Sequence, residues 1–264
     1  MKKYLVVGNP IEHSLSPRLH NFWIKSNNLD AVYEKKLTKE NDLADLILEI
    51  KKKNIHGINV TVPFKKAVIP YLDHLSPESA KTQSVNTIYL ENNKTIGHNT
   101  DIEGFEQSTK ISKLDIVNKK VLILGAGGVV SSIIFALYKM KVAKITVSNR
   151  TKTKAEKLKD LFNNLKIVDW GEIPEFDIII NATSIGLNND DKINLDISKI
   201  GKGKFFYDII YKPSETNFLR MGKKLGNRTE NGKLMFIHQA LAAFKVWHGI
   251  QPKINREVFK ILDQ

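Results

Sequence analysis

Apolar positions along the chain alternate between runs of strand length and patterns of helical spacing. The apolar run Val121–Leu124 leads into the glycine-rich stretch Gly125–Gly128, and residues 129–139 then carry a helical pattern. Lys144–Ser148 has the composition of a second short strand. A strand, a glycine turn, a helix and a further strand form a βαβ unit, in which the two strands are parallel. This stretch therefore predicts the start of a dinucleotide-binding sheet.

The glycine turn has the small residues that a nucleotide pyrophosphate requires. Gly125 allows a sharp turn out of the strand, whereas Gly127 and Gly128 keep side chains away from the backbone N–H groups. Ala126 is the remaining residue of the turn. Val130 stands where the strict fingerprint has a third glycine, so the match is partial and depends on the βαβ pattern around it.

The end of the second strand indicates which nucleotide fits. An NAD site usually has Asp or Glu about 20 residues after the glycines, but this chain has Asn149, Arg150 and Thr151 there. A guanidinium can bind a 2′-phosphate with two hydrogen bonds, and Lys154 adds positive charge. We therefore predict NADP(H). In the alternative, Thr151 is only the N-cap of a solvated helix.

The N-terminal half predicts strands and helices in alternation. Strands are expected at Tyr4–Gly8, Ala31–Leu37, Gly57–Val62 and 84–90, with helices after Ser16, at 41–53 and from about Thr100 to Lys110. Asn59 and Thr61 share one face of the third strand. Asn86 lies on the fourth strand. As the alternative to a role in a site, Thr100 or Asp101 is expected only as the N-cap of the last helix.

Two serines and a lysine in this half are candidates for binding an anion. Pro17 is typical of a first helical turn, which makes Ser16 the expected N-cap and places Ser14 beside it. Hydroxyls at a helix N-terminus can hold a carboxylate, although these residues alone favour plain capping and turn formation. Lys65 follows Pro63 on the expected opening turn of a short helix, but a lysine in such a position is ordinarily a solvated surface residue.

The C-terminal half predicts two more buried strands, 176–180 and 204–208, and a helix over 231–248. In a doubly wound sheet, ligands bind at the loops that follow such strands. The first of these loops is 181–186. Gln239, on the C-terminal helix, could point either into a site or into solvent.

Composition and charge exclude several classes of protein. The chain of 264 residues carries a net charge of +13, which raises nucleic acid as a partner, but its lysines are dispersed and no nucleic-acid-binding motif is present. The uncharged stretch 121–138 contains the glycine turn and is therefore not expected to cross a membrane. The N-terminus does not resemble a secretory signal, and the chain has no cysteine, which is consistent with a cytoplasmic location. No histidine spacing indicates a metal site.

In combination, these motifs resemble the shikimate dehydrogenase family along nearly the whole chain. They are Gly8-Asn9-Pro10, Ser14-Leu15-Ser16-Pro17, Asn59–Lys65, Val85-Asn86-Thr87, Asn99-Thr100-Asp101, the glycine turn, Asn149-Arg150-Thr151, Asn181-Ala182-Thr183, Tyr207–Tyr211 and Gln239-Ala240. The resemblance implies a two-domain α/β enzyme that reduces 3-dehydroshikimate to shikimate with NADPH, on the pathway to aromatic amino acids. It implies an N-terminal α/β substrate domain (1–101 with 239–264) and a Rossmann-type, doubly wound parallel-sheet cofactor domain (102–238).

The resemblance also implies roles for individual residues. The catalytic pair is Lys65 and Asp101, and the substrate carboxylate binds at Ser14 and Ser16. The other expected substrate contacts are Thr61, Asn86, Tyr211 and Gln239. The expected cofactor contacts are Gly125, Ala126, Gly127, Gly128, Asn149, Arg150, Thr151, Lys154, Thr183 and Met235.

Departures from the family pattern keep alternatives open. Leu234 replaces a glycine expected before Met235, Val129-Val130-Ser131 makes the helix entry bulkier and removes an arginine, and Gln83-Ser84 replaces Gly-Ala. One rival is an NAD-dependent quinate/shikimate dehydrogenase, and another is a shikimate-binding paralogue without catalysis. A homodimer is a further possibility that the sequence leaves open.

Overall fold

The computed structural model describes residues 1–188, 190–196 and 200–263. They form two compact units, and each unit contains a six-stranded sheet. The first unit consists of Met1–Gly104 and the C-terminal segment that begins at Ile237, and the second unit is Phe105–Phe236. Residue 264, the last residue of the expected substrate domain, lies outside the described residues. The α/β fold class is confirmed.

The sheet of the first unit is mixed. Its strands are β1 (Lys2–Gly8), β2 (Ala31–Leu37), β3 (Gly57–Val60), β4 (His74–Leu75), β5 (Thr87–Glu91) and β6 (Lys94–His98), in the order β2-β1-β3-β5-β6-β4. β1 is parallel to β2 and β3, whereas β5 is antiparallel to β3 and β6. Asn92 and Asn93 form the β5–β6 turn with positive φ angles, as a tight hairpin requires.

The second unit has a doubly wound parallel sheet. Its strands are β7 (Lys120–Leu124), β8 (Lys144–Ser148), β9 (Leu165–Val168), β10 (Ile178–Asn181), β11 (Phe205–Asp208) and β12 (Arg228–Glu230). Their order is β12-β11-β10-β7-β8-β9, with every pairing parallel. The chain runs outward in both directions from β7 and β10, so the ends of these two strands form the crevice where such sheets bind ligands.

Helices in the described residues lie close to the expected positions. They are α1 (Ser16–Ser26), α2 (Leu43–Lys51), α3 (Pro77–Thr82), α4 (Thr100–Ile111), α5 (Val130–Lys139), α6 (Lys152–Glu156), α7 (Asn217–Lys224), α8 (Lys233–His248) and α9 (Arg256–Asp263). The helix expected at 41–53 is shorter because a 3₁₀ turn, Glu40–Asp42, precedes α2. The stretch 121–138 divides into β7, the glycine turn and most of α5, and no described helix is long and apolar enough to span a membrane.

The C-terminal helix α8 completes the core of the first unit. A Cβ at Gly57 would lie 2.3 Å from Trp247 Nε1, so only glycine lets the indole pack against β3. The same Nε1 donates a hydrogen bond to the Ile88 carbonyl oxygen at 3.1 Å. On the α2 side, the core is formed by the apolar face of the helix, which is Leu43, Leu46, Ile47 and Ile50. Residues from both ends of the sequence therefore cover the strands that lead to Lys65 and Asn86.

Candidate active site

An ion pair between Lys65 and Asp101 lies at the centre of the candidate site in the first unit. Lys65 Nζ is 2.5 Å from Asp101 Oδ2, and the two side chains are only 10% and 8% exposed. Solvent and salt screen a pair this buried only weakly. Each charge therefore depends on the other, because removing one would leave an uncompensated charge in the interior.

Lys65 is held by the turns that follow β3. Residues 62–68 form a series of turns rather than the expected short helix. The Val68 N–H donates to the Phe64 carbonyl oxygen, but this hydrogen bond does not continue into a regular helix. Phe64 is buried in the core, and the Lys65 carbonyl oxygen accepts the Val85 N–H at 2.8 Å. Lys65 is 8% exposed, whereas its neighbour Lys66 is exposed. The sequence pair Lys65–Lys66 thus contains one buried and one solvated lysine.

Asp101 is the second residue of α4, but it does not cap the helix. Asn99 Oδ1 accepts the Asp101 N–H at 3.2 Å, so the expectation that Thr100 or Asp101 is the N-cap is wrong. The Asn99 amide nitrogen donates to Ser84 O at 2.9 Å. Because Asn99 takes the capping bond, the Asp101 carboxylate faces Lys65 and gains from the positive end of the helix.

Asn86 fixes the other oxygen of Asp101. It precedes β5 by one residue instead of lying within the strand. Its Nδ2 donates to Asp101 Oδ1 at 3.0 Å and to Thr100 Oγ1 at 2.9 Å, and its Oδ1 accepts the Thr100 N–H at 2.7 Å. Gln239 Oε1 lies 3.5 Å from the same Nδ2. The structure therefore brings together four predicted site residues: Lys65, Asp101, Asn86 and Gln239.

Three buried residues behind Asn86 received no role from the sequence. Thr87 Oγ1 donates to Asn86 Oδ1 at 3.0 Å, Asn59 Nδ2 donates to Thr87 Oγ1 at 3.0 Å, and Tyr33 Oη donates to Asn59 Oδ1 at 2.7 Å. All four residues of β3 are buried. An asparagine in so buried a strand needs hydrogen-bond partners, and that requirement is the signal by which Asn59 could have been found.

Ser14 and Ser16 lie at the beginning of α1, but not as expected. Leu15 already has helical φ and ψ angles and occupies the N-cap position, so the assignment of Ser16 as N-cap is wrong. Ser14 Oγ accepts the Ser16 N–H at 3.3 Å instead. Ser16 is buried, whereas Ser14 and Thr61 are partly exposed.

The glycine turn in the second unit follows β7. Gly125 has a φ of +117°, and a Cβ there would lie 2.7 Å from the Ala182 carbonyl oxygen, so this position requires glycine. At Gly127, by contrast, a Cβ would meet nothing within 4 Å. Gly127 and Gly128 are exposed, and Ala126 is partly exposed. Space therefore lies beside the Gly127 backbone in front of α5.

The basic residues after β8 are exposed. Arg150, Thr151 and Lys154 lie at the protein surface, and within the described ranges neither Arg150 nor Lys154 forms an ion pair. Asn149 Nδ2 donates to the Thr151 carbonyl oxygen at 2.8 Å, which orders the turn. Thr151 is at the N-cap position of α6, as the alternative interpretation expected, but its side chain makes no capping bond.

Thr183 belongs to a polar cluster at the ends of β10 and β11. Asn181 Oδ1 accepts both the N–H and the hydroxyl of Thr183, at 3.1 and 2.7 Å. Asn181 Nδ2 donates to Asp208 Oδ1 at 3.1 Å, and Asp208 also accepts from Thr216 Oγ1 at 2.6 Å and from the Ile210 N–H at 3.0 Å. Burial raises the pKa of Asp208 to about 6. Asp208 is an organising residue to which the sequence assigned no role.

The last two predicted contacts also belong to the second unit. The Tyr211 ring stacks on Phe236, with ring centroids 4.4 Å apart and an interplanar angle of 26°. Met235 is buried. Among the described residues, no group of three or more His, Cys, Asp and Glu side chains could hold a metal ion.

Two family models match the chain. A model described as the shikimate dehydrogenase substrate binding domain matches residues 6–88, and a model described as shikimate / quinate 5-dehydrogenase matches residues 106–209. A curated relative from Pelagibacter ubique, named shikimate dehydrogenase (NADP(+)), is 57% identical over 99% of both chains.

Solved structures are similar over nearly the same length. The crystal structure of shikimate dehydrogenase from Aquifex aeolicus is 36% identical with a TM-score of 0.91, and the match covers 100% of this chain and 98% of that one. The structure from Thermus thermophilus, described as a complex with NADP(H) and shikimate, is 32% identical with a TM-score of 0.88, covering 96% and 95%.

Proposed function

Because this chain belongs to the shikimate dehydrogenase family, we propose that it reduces 3-dehydroshikimate to shikimate with NADPH, in aromatic amino acid biosynthesis. It is accordingly an NADP-dependent oxidoreductase acting on a CH–OH group. The buried Lys65–Asp101 ion pair is the observation that carries the proposal. Reduction of a carbonyl develops negative charge on its oxygen, and a cation held away from water stabilises that charge strongly.

The chemistry requires a hydride and a proton. Bound NADPH supplies the hydride. Lys65 places positive charge beside the carbonyl oxygen, while Asp101 Oδ2 and the Asn86 amide keep the ammonium group and the carboxylate in a fixed arrangement. The Lys65–Asp101 pair donates a proton to the developing alkoxide in the reduction and accepts the proton of the substrate hydroxyl in the oxidation.

We propose that the first unit binds the substrate. Ser14 and Ser16 hold the substrate carboxylate, since both residues lie at the N-terminal end of α1. Thr61, Asn86, Asp101 and Gln239 bind the ring hydroxyls. Asn86 and Gln239 are both close to Asp101, which supports a shared role for them.

We propose that the second unit binds NADP(H). The open space beside Gly127 accommodates a pyrophosphate at the N-terminus of α5, with Gly125, Ala126 and Gly128 completing the turn. The exposed guanidinium of Arg150 binds the 2′-phosphate, with Lys154 adding charge and Asn149 and Thr151 shaping the turn. Thr183 and Met235 contact the cofactor, and Tyr211 contacts the substrate.

One assay tests this function against its rivals. The purified chain is mixed with shikimate or quinate and with NADP⁺ or NAD⁺, and reduction of the nucleotide is followed by absorbance. We expect turnover with shikimate and NADP⁺ to exceed the other three combinations. Preference for NAD⁺ with useful turnover of quinate would instead support the quinate/shikimate dehydrogenase, and shikimate binding without any nucleotide reduction would support the non-catalytic paralogue.

We further propose a cytoplasmic location, because a reducing compartment suits a cysteine-free chain that uses NADPH. A homodimer remains a hypothesis. Light scattering on the eluting protein measures its mass against the 30.0 kDa of one chain. Cell fractionation followed by the same enzyme assay tests the location.

A further inference from the structure

Tyr33, on β2, has a buried hydroxyl between two elements that carry proposed substrate contacts. The side chain is 1% exposed. Its hydroxyl donates to Asn59 Oδ1 at 2.7 Å. Asn59 lies in β3, and Asn21, which binds the Tyr33 backbone, lies in α1. Tyr33 therefore joins α1 to the strand that leads to Lys65.

Tyr33 is held by contacts to its backbone and to its ring. Asn21 Oδ1 accepts the Tyr33 N–H at 2.9 Å, and Asn21 Nδ2 donates to the Tyr33 carbonyl oxygen at 2.8 Å. The His20 ring stacks on the Tyr33 ring at 4.1 Å, with only 4° between the planes. Burial lowers the pKa of His20 to about 3, so the stacked imidazole is neutral. The direction of the Tyr33 hydroxyl is therefore fixed before substrate binds.

The bond from Tyr33 to Asn59 continues toward the ion pair. Asn59 Nδ2 donates to the Asn86 carbonyl oxygen at 3.0 Å as well as to Thr87 Oγ1, and Thr87 binds the Asn86 side chain. Asn86 in turn orients Asp101. Without its Tyr33 partner, the buried Asn59 oxygen would lose a hydrogen bond, and the amide would be free to reorient.

We propose that Tyr33 is a positioning residue for substrate binding, whose hydroxyl holds Asn59, and through it Asn86, in the arrangement that the substrate requires. Tyr33 acts through these two side chains and does not itself touch the substrate. This inference rests on the proposed function. Burial raises the pKa of Tyr33 well above its ordinary value, so the hydroxyl remains a donor throughout the neutral range.

The test is the variant Tyr33→Phe, which removes one oxygen and keeps the stacked ring. We expect KM for shikimate to rise about fivefold to twentyfold, with kcat within about threefold and KM for NADP⁺ within about twofold of wild type. The matched control is Tyr207→Phe. Its hydroxyl is also buried but lies 2.9 Å from Ser108 Oγ in the second unit, and we expect KM for shikimate to stay unchanged.

A double-mutant cycle tests whether Tyr33 acts through Asn59. In an Asn59→Ala background, the effect of Tyr33→Phe on KM for shikimate should shrink by half or more, because the partner of the hydroxyl is already gone. Fully additive effects of the two substitutions would contradict the coupling and overturn the proposal.

The remaining outcomes separate positioning from simple stability. An unchanged KM for shikimate in a folded Tyr33→Phe protein overturns the proposal. An equal rise in KM for shikimate and in KM for NADP⁺ also overturns it. Should Tyr33→Phe not fold, Asn21→Ala loosens the Tyr33 backbone and keeps its hydroxyl; a raised KM for shikimate then supports the proposal, and an unchanged one overturns it. A wild-type chain without activity on shikimate would defeat the proposed function instead.

Discussion

The two units present their candidate site residues in opposite ways. In the first unit, Lys65, Asp101 and Asn86 are buried and hydrogen-bonded to one another. In the second unit, Arg150 and Lys154 are exposed, and in the described part of the chain they have no ion-pair partner. Groups that act on a transition state gain from a fixed, dry surrounding, whereas a phosphate is recognised by charge and by shape. The contrast in burial therefore follows the contrast in proposed role.

The buried aspartates of the two units also differ in the groups that surround them. Asp101 has a lysine beside it, whereas Asp208 receives hydrogen bonds from the neutral donors Thr216, Ile210 and Asn181 among the described residues. Hydrogen bonds stabilise the Asp208 carboxylate, but burial has the larger effect and raises its pKa. One acid is thus suited to chemistry with a cation, and the other to holding loops together.

The largest effect is expected for Lys65→Ala, which removes the cation of the buried pair. We expect kcat to fall by on the order of 10²-fold or more, with KM within a few-fold, because the group acts mainly in the transition state. Steady-state kinetics measure both. The control is Lys66→Ala, which removes an exposed charge and should leave kcat unchanged. A large rise in KM with an unchanged kcat would make Lys65 a binding residue.

A smaller effect is expected for Arg150→Ala in the second unit. Affinity for NADPH should fall by about tenfold to thirtyfold, since a charge-assisted bond to phosphate is lost, while affinity for NADH changes little. Fluorescence titration with both nucleotides measures the difference. Lys152→Ala is the matched control, because Lys152 is exposed and already pairs with Asp169 at 2.7 Å. Equal losses of affinity for NADPH and NADH would contradict the proposal that Arg150 binds the 2′-phosphate.

Asp208 should give stability a pH dependence. Its pKa is raised from 3.8 in the unfolded chain to about 6, so the folded protein binds this proton more tightly. The resulting stabilisation is fully present below about pH 4 and is lost as pH rises through 6; we expect a loss of about 2–3 kcal/mol. Urea unfolding of wild type and Asp208→Asn across pH 4–8 measures it. A difference between the two free energies of unfolding that does not vary with pH would contradict the prediction.

The smallest change in stability is expected for Gly127→Ala. A Cβ there meets no atom within 4 Å, so the free energy of unfolding should stay within about 0.5 kcal/mol, while NADPH affinity falls because the methyl group obstructs the pyrophosphate. Gly125→Ala is the contrasting variant. It must adopt a φ of +117° against the Ala182 carbonyl, so it should lose about 1–3 kcal/mol of stability. An unaltered NADPH affinity in Gly127→Ala would place the pyrophosphate elsewhere.

Repetitive patterns in the sequence predicted the second unit well. The strand Lys144–Ser148 is observed with the expected bounds, and the helix expected at 129–139 begins one residue later, at Val130. Parallel strands buried on both faces give continuous apolar runs, and a glycine turn fixes where such a strand ends. Local composition is sufficient where local geometry decides the structure.

The polar network of the first unit was less predictable. Spacing alone made Lys65 an ordinary surface residue and Ser16 a helix cap, and it assigned nothing to Tyr33. Lys65 becomes buried only when Asp101, 36 residues later, lies beside it. Partnerships of this kind depend on tertiary contacts, which no local periodicity contains, and here the family resemblance supplied the missing information.

The Gly57–Trp247 contact also bears on the order in which the protein is made. Lys65 and Asp101 are synthesised early, but helix α8, which covers their sheet, is synthesised only after the entire parallel sheet. The second unit can fold first, whereas the first unit has to wait until Trp247 has been synthesised. A frameshift or premature stop between the second unit and Trp247 would therefore damage a reactive centre whose Lys65 and Asp101 are encoded in the first half of this sequence.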